Sequence, residues 1–180
     1  QTYERELEDP IGAVEAYQQI VEWDGTDLRA LGALDRLFVH LEQWDDLIAC
    51  LRAQLELVEG DDAAVGLQYR VARTQEMELG DVETAIAGYA QILTVAAHHA
   101  ETRQALSAMV REDRNADQAL AVLEEVLSAE GDWAQLIGVW QDFLSVSDDL
   151  EVRCRVRMQV ASTYDERLAD AESAFLSYGE

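Results

Sequence analysis

The chain has 180 residues, of which 49% are hydrophobic, so it can bury a continuous core and is not a disordered segment. Its 37 acidic residues outweigh 13 basic ones and leave a net charge of −24, which makes nucleic acid a poor partner and disfavours an anionic membrane, because phosphate contacts need a cationic patch. A single proline (Pro10) and ten glycines are too few breakers for a turn-rich β fold, whereas alanine, leucine, glutamate and arginine favour helices.

In chain order, apolar periodicity predicts helices at 9–22, 27–42, 44–58, 62–79, 81–96, 100–112, 115–129, 132–146, 149–168 and 170–179. The joins are short, and several carry glycine or aspartate, as helix-to-helix turns do. The fold class expected is therefore all-α, with about ten helices in antiparallel pairs, and one continuous domain over 1–180. No apolar run approaches 18 residues and no signal peptide is visible, so membrane insertion is not expected. The chain opens and closes on helix-like sequence and reads as a segment of a longer array. Every basic residue is an arginine. A lysine-free, acid-rich composition fits a GC-rich gene, adaptation to salt, or both; it also fits a plain solvated acidic surface.

Internal repeats organise the sequence. Val71, Ala72, Leu79, Asp81, Ala85 and Tyr89 recur 89 residues later as Val160, Ala161, Leu168, Asp170, Ala174 and Tyr178. The same offset takes Trp44, Leu47 and Ile48 to Trp133, Leu136 and Ile137. A partial copy from Leu7 to Tyr17 matches Leu79 to Tyr89 at an offset of 72. The offset thus grows by about one helix, and segment 100–114, which has no clean partner, supplies it. In Leu79-Gly80-Asp81 the glycine ends one helix and the aspartate caps the next, and the small Ala85 lets two helices approach. One pair cannot cover its own apolar face, so pairs stack.

A pair length of about 34 residues with this Gly-Asp, Ala, Tyr pattern resembles the tetratricopeptide repeat. The resemblance rests on Leu31, Leu34, Phe38, Trp44 and Leu47, on Val71 to Tyr89, on Leu120 to Ile137, and on Val160 to Tyr178, and it covers nearly the whole chain. The closing proline of each repeat is absent and the first-helix aromatic is often missing. Related helical repeats of the half-a-TPR or Sel1-like kind are compatible with the same pattern. The resemblance implies a right-handed α-solenoid whose first helices line a concave groove. It implies a protein or peptide partner and places Arg29, Arg36, Tyr69, Arg73, Arg155 and Met158 on the groove. Arginines gathered there suit a carboxylate or acidic peptide; the competing reading pairs them with neighbouring acids, such as Arg36 with Asp35. Self-association through the open ends is the alternative role.

Catalytic chemistry finds no foothold. The three histidines, His40, His98 and His99, lie far from Cys50 and Cys154 in sequence, and no glycine-rich phosphate loop is present. Without lysine there is no Schiff base. No catalytic residue, no cofactor and no metal site is therefore assigned. His98 and His99 with Glu101 have metal-ligating side chains, but adjacent residues on a turn diverge, which favours a turn role. The acidic pairs Asp45–Asp46, Asp61–Asp62 and Asp148–Asp149 are expected to cap helix starts. The four tryptophans and both cysteines are expected in the core.

Overall fold

The computed structural model describes residues 9–179, and they form ten α-helices and no strand. These are α1 (Pro10–Trp23), α2 (Leu28–His40), α3 (Trp44–Leu57), α4 (Asp61–Met77), α5 (Val82–Val95), α6 (Ala100–Arg111), α7 (Ala116–Glu130), α8 (Trp133–Val146), α9 (Leu150–Glu166) and α10 (Ala171–Gly179). Every boundary lies within two residues of its sequence expectation. Leu7, the first residue of the partial copy, falls outside the described residues. Among the described residues no helix is long and apolar enough to cross a membrane.

The chain divides into two compact units, Gln1–Val95 and Ala96–Glu180. In the first, consecutive helices from α1 to α5 pack on one another. Ala13 and Val14 of α1, Leu31, Leu34, Leu37 and Phe38 of α2, and Leu47, Cys50 and Leu51 of α3 make one buried cluster. Each helix contributes at helical spacing, as an apolar stripe must. In the second unit α7 packs on α6 and α8, α6 also touches α8, and α9 packs on α8 and α10. The helix without a repeat partner, α6, is thus built into that unit, with Leu106, Met109 and Val110 fully buried.

The helix starts follow the sequence reading only in part. The side chains of Asp9, Asp27, Asp132 and Asp149 accept from backbone N–H groups of α1, α2, α8 and α9. Asp45–Asp46 and Asp61–Asp62 do not cap. They stand in the first turns of α3 and α4, whose caps are Gln43 and Gly60, and there they face the positive end of the helix dipole. His99 fulfils the turn role: its ring Nδ1 accepts from the Thr102 N–H at the start of α6.

The cysteines divide. Cys50 is buried and its thiol donates to the Leu31 carbonyl at 3.2 Å, and burial pushes its pKa up. Cys154 is exposed, against expectation. Its apolar neighbours Val152 and Val156 are four residues apart on α9, which puts the residue midway between them on the opposite side of the helix. Trp23 departs for the same reason. It is 93% exposed, because Ala13, Val14, Tyr17 and Val21 define the buried stripe of α1 and Trp23 lies outside it. Trp140 is buried, Trp44 packs on the edge of the first cluster, and Trp133 is half-buried under the Arg167 guanidinium.

Candidate functional site

In the first unit, α2 and α4 each present one exposed face. On α2 it carries Leu28, Arg29, Gly32, Arg36 and Val39, and on α4 Gly66, Tyr69, Arg70, Arg73 and Met77. The spacing of three or four residues aligns each set along its helix. Two hollows lie on these faces. One is bounded by Tyr17 of α1 and by Leu28, Arg29, Gly32 and Arg36 of α2. The other is bounded by Val39, Trp44, Tyr69, Arg70, Arg73 and Met77. Of the residues expected in a groove, Arg29 and Arg36 therefore share one hollow and Tyr69 and Arg73 share the next.

Arg70 ties the two helices together. Its guanidinium donates to both Asp35 carboxylate oxygens, at 2.7 and 2.6 Å. Asp35 is thus the partner of Arg70 rather than of its sequence neighbour Arg36, since adjacent helical residues diverge while a fork from the facing helix fits both oxygens. That hydrogen-bonded pairing raises the Arg70 pKa. Arg70 was absent from the sequence-derived set; its place three residues before Arg73 was the signal that could have found it.

Beneath this face sits a buried polar core. Glu76 is 4% exposed. The Tyr89 hydroxyl donates to Glu76 Oε2 at 2.7 Å and Arg73 Nη1 donates to the same oxygen at 2.8 Å. The Tyr69 and Tyr89 rings meet at 5.8 Å. Burial, and then the bond to Glu76, hold the Tyr89 hydroxyl far above the ordinary tyrosine pKa, so it stays a donor. Arg73 spends one donor on Glu76 and keeps others for the hollow, its side chain being 43% exposed. The network fixes the Arg73 head at the surface. Sequence reading placed Tyr89 in the core but gave Glu76 no role, because a lone glutamate in a helix carries no sign of burial.

Arg155 and Met158 lie in the second unit, both exposed and three residues apart on α9. Arg153, nearby, turns away to donate to the carbonyls of Leu144 and Ser147. The second unit also holds a polar clasp unseen in the sequence. Arg103 of α6 reaches Glu130 at the end of α7, Gln135 of α8 and the Ala97 carbonyl, and His98 Nδ1 lies 3.2 Å from Glu130. Glu130 and Gln135 stand 27 and 32 positions from Arg103, beyond any local pattern.

Comparison with known proteins gives the family of the best-defined repeat. Residues 30–64, covering α2, α3 and the first turn of α4, match the tetratricopeptide repeat. Among solved structures the chain is similar to the crystal structure of MamA, at 17% identity and a TM-score of 0.49 over 98% of this chain and 93% of that one. It is also similar to BtubC (BKLC) from P. vanneervenii, at 13% identity and a TM-score of 0.43 over 99% and 89%. No curated protein matches the chain. The described residues are all-α, and residues 30–64 carry a tetratricopeptide repeat.

Proposed function

We propose that this protein is a non-catalytic scaffold that holds an acidic peptide segment of a protein partner on the face made by α2 and α4. The observation that carries the reading is the gathering of arginines. In a chain of net charge −24, four of them (Arg29, Arg36, Arg70 and Arg73), with Arg70 held by Asp35 and Arg73 by Glu76, stand on one pair of helix faces beside the apolar Leu28, Val39 and Met77. Arginine forks suit carboxylates, and the apolar residues beside them supply contact area. Glycines at positions 32 and 66 keep that face shallow and let a main chain approach. Arg155 and Met158 on α9 extend the proposal to the second unit as a separate contact.

Fluorescence anisotropy with acidic peptides and neutral counterparts of equal length tests it. Acidic peptides should bind with an affinity that falls as salt rises, and the double change Arg36→Glu and Arg73→Glu should weaken them about a hundredfold, as expected when two charge-assisted contacts reverse. Equal binding by the reversed variant overturns the reading. A second role is favoured by the exposed apolar residues at the two ends, Ile11, Ile20 and Trp23 on α1 and Phe175, Leu176 and Tyr178 on α10. Self-association through them would appear in light scattering of the same samples as a mass that rises with concentration.

A further inference from the structure

Tyr89 lies under the arginine face without reaching it. It belongs to α5, is fully buried, and donates its hydroxyl to Glu76 Oε2 at 2.7 Å. The Glu76 side chain is wholly buried as well. Arg73, three residues before Glu76 on α4, donates from Nη1 to the same oxygen at 2.8 Å, yet its side chain is 43% exposed. A line of hydrogen bonds thus runs from the core of the α4–α5 pair to the surface, through Tyr89, Glu76 and Arg73.

Each link has a physical consequence. An ion pair between residues three apart on one helix is weak and mobile where water reaches both partners. Here the acceptor is held. The phenol pins the carboxylate from beneath, and the Tyr69 ring packs against the Tyr89 ring at 5.8 Å. Out of water, both hydrogen bonds to that oxygen are stronger than they would be at the surface. A carboxylate fixed by a buried phenol fixes the arginine that donates to it.

Arg70 and Arg73 are left with different donor edges. Arg70 gives Nη1 and Nη2 to the two Asp35 oxygens, so its end-on fork is taken by a carboxylate of this chain. Among the described residues, Arg73 hydrogen bonds through Nη1. Its Nε and Nη2 make a side-on fork, and such a fork binds a carboxylate with two parallel bonds. The repeat copy has no such arrangement. Ser162, Asp165 and Tyr178 stand at the positions of Arg73, Glu76 and Tyr89, and Tyr178 is 52% exposed.

We infer that Tyr89 is a positioning residue: acting through Glu76, it holds Arg73 as the carboxylate anchor of the α2–α4 face. The inference rests on the acidic-peptide reading of that face. It adds which arginine meets the ligand's carboxylate and what keeps that arginine in place. Tyr89 itself touches no ligand. The anchor is ordered before the ligand arrives, so binding does not have to immobilise it, which raises affinity about fivefold for one long side chain.

Two measurements on the full chain test this. In 1H–15N spectra the Arg73 Nε–H signal, identified by its loss in Arg73→Gln, should have a heteronuclear NOE typical of a held side chain. That NOE should fall in Tyr89→Phe, which removes only the hydroxyl. Fluorescence anisotropy with labelled hexaglutamate should show Tyr89→Phe weakening binding about fivefold in the wild-type background. In the Arg73→Gln background the same change should cost nothing, because no anchor is left to place. A hydroxyl that merely supports the fold would cost the same in both backgrounds, and that result overturns the inference. So does wild-type affinity in Tyr89→Phe, or an Arg73 signal that the variant leaves unmoved. Hexaglutamate that fails to bind the wild type overturns the acidic-peptide reading instead, and the Arg73 signal alone then decides whether Tyr89 positions it.

Discussion

The α4–α5 and α9–α10 pairs are near-copies in sequence and differ in what they bury. Their shared small residues behave alike: Ala72 and Ala161 are 1% and 0% exposed, and Ala85 and Ala174 are 0% and 3%. Their shared large residues do not. Tyr89 is fully buried over Glu76, whereas Tyr178 is 52% exposed, and Ile86 is buried where Phe175 is 78% exposed. The residues facing Tyr178 by the repeat offset are Met158, Ser162 and Asp165 in place of Tyr69, Arg73 and Glu76. Small residues record contact within a pair, which every copy has. Large ones record what lies around the pair, and no helix follows α10 among the described residues.

The largest expected effect breaks this contrast directly. Tyr89→Ala removes a buried ring and strands Glu76, and should cost about 3–5 kcal/mol. Tyr178→Ala should cost less than about 1 kcal/mol, the usual range for surface changes. Urea unfolding of both variants measures the difference, and equal losses would mean that the second pair is buried as deeply as the first.

A smaller effect lies in the backbone. The turn between α4 and α5 uses Gly80 at φ +67°, and the matched turn uses Ala169 at φ +53°. Left-handed backbone strains any residue with a Cβ by about 1–2 kcal/mol. Gly80→Ala should therefore destabilise by about 1 kcal/mol and Ala169→Gly should stabilise by a similar or slightly smaller amount, since glycine also loosens the unfolded chain. Opposite shifts in melting temperature would sharpen the equivalence of the two turns.

The smallest effect should be common to both copies. Asp81 accepts from the Thr84 N–H and Asp170 from the Ser173 N–H and hydroxyl, and these bonds hold both carboxyls below their ordinary 3.8. A folded pKa below the unfolded one gives stability that is present above the unfolded value and is lost as pH falls through the folded one. Melting temperature should drop below about pH 3.8 for this reason, and the Asp81→Asn, Asp170→Asn double variant should show a shallower drop. Identical acid profiles would remove the caps from the account.

The helices were legible because their signals are local. Apolar spacing, the Gly-Asp turns and the alanines at close approach are each read within a few residues, and the partnerless segment 100–114 surfaced as helix α6 from a change in repeat offset. Parts of the arginine face were legible because Arg29 and Arg36, like Tyr69 and Arg73, keep a helical interval. Arg70 and Asp35 are 35 positions apart, and their pairing follows from the packing of α4 near α2. The two cysteines show the limit most plainly. Both have apolar sequence neighbours, but only Cys50 lies on its helix's inner stripe.

The sequence by itself determined ten helices, their pairing and the repeat frame, since these rest on backbone propensity and periodicity within a turn or two. Only the tertiary structure decided which polar groups are buried. Glu76 and Gln75 are adjacent glutamate-type residues on one helix. One is held by Tyr89 and Arg73, and the other lines a hollow between α3 and α5. Their 100° separation around α4 aims them at different neighbours, and the neighbours are set by how α3 and α5 pack, not by residues 75 and 76 themselves.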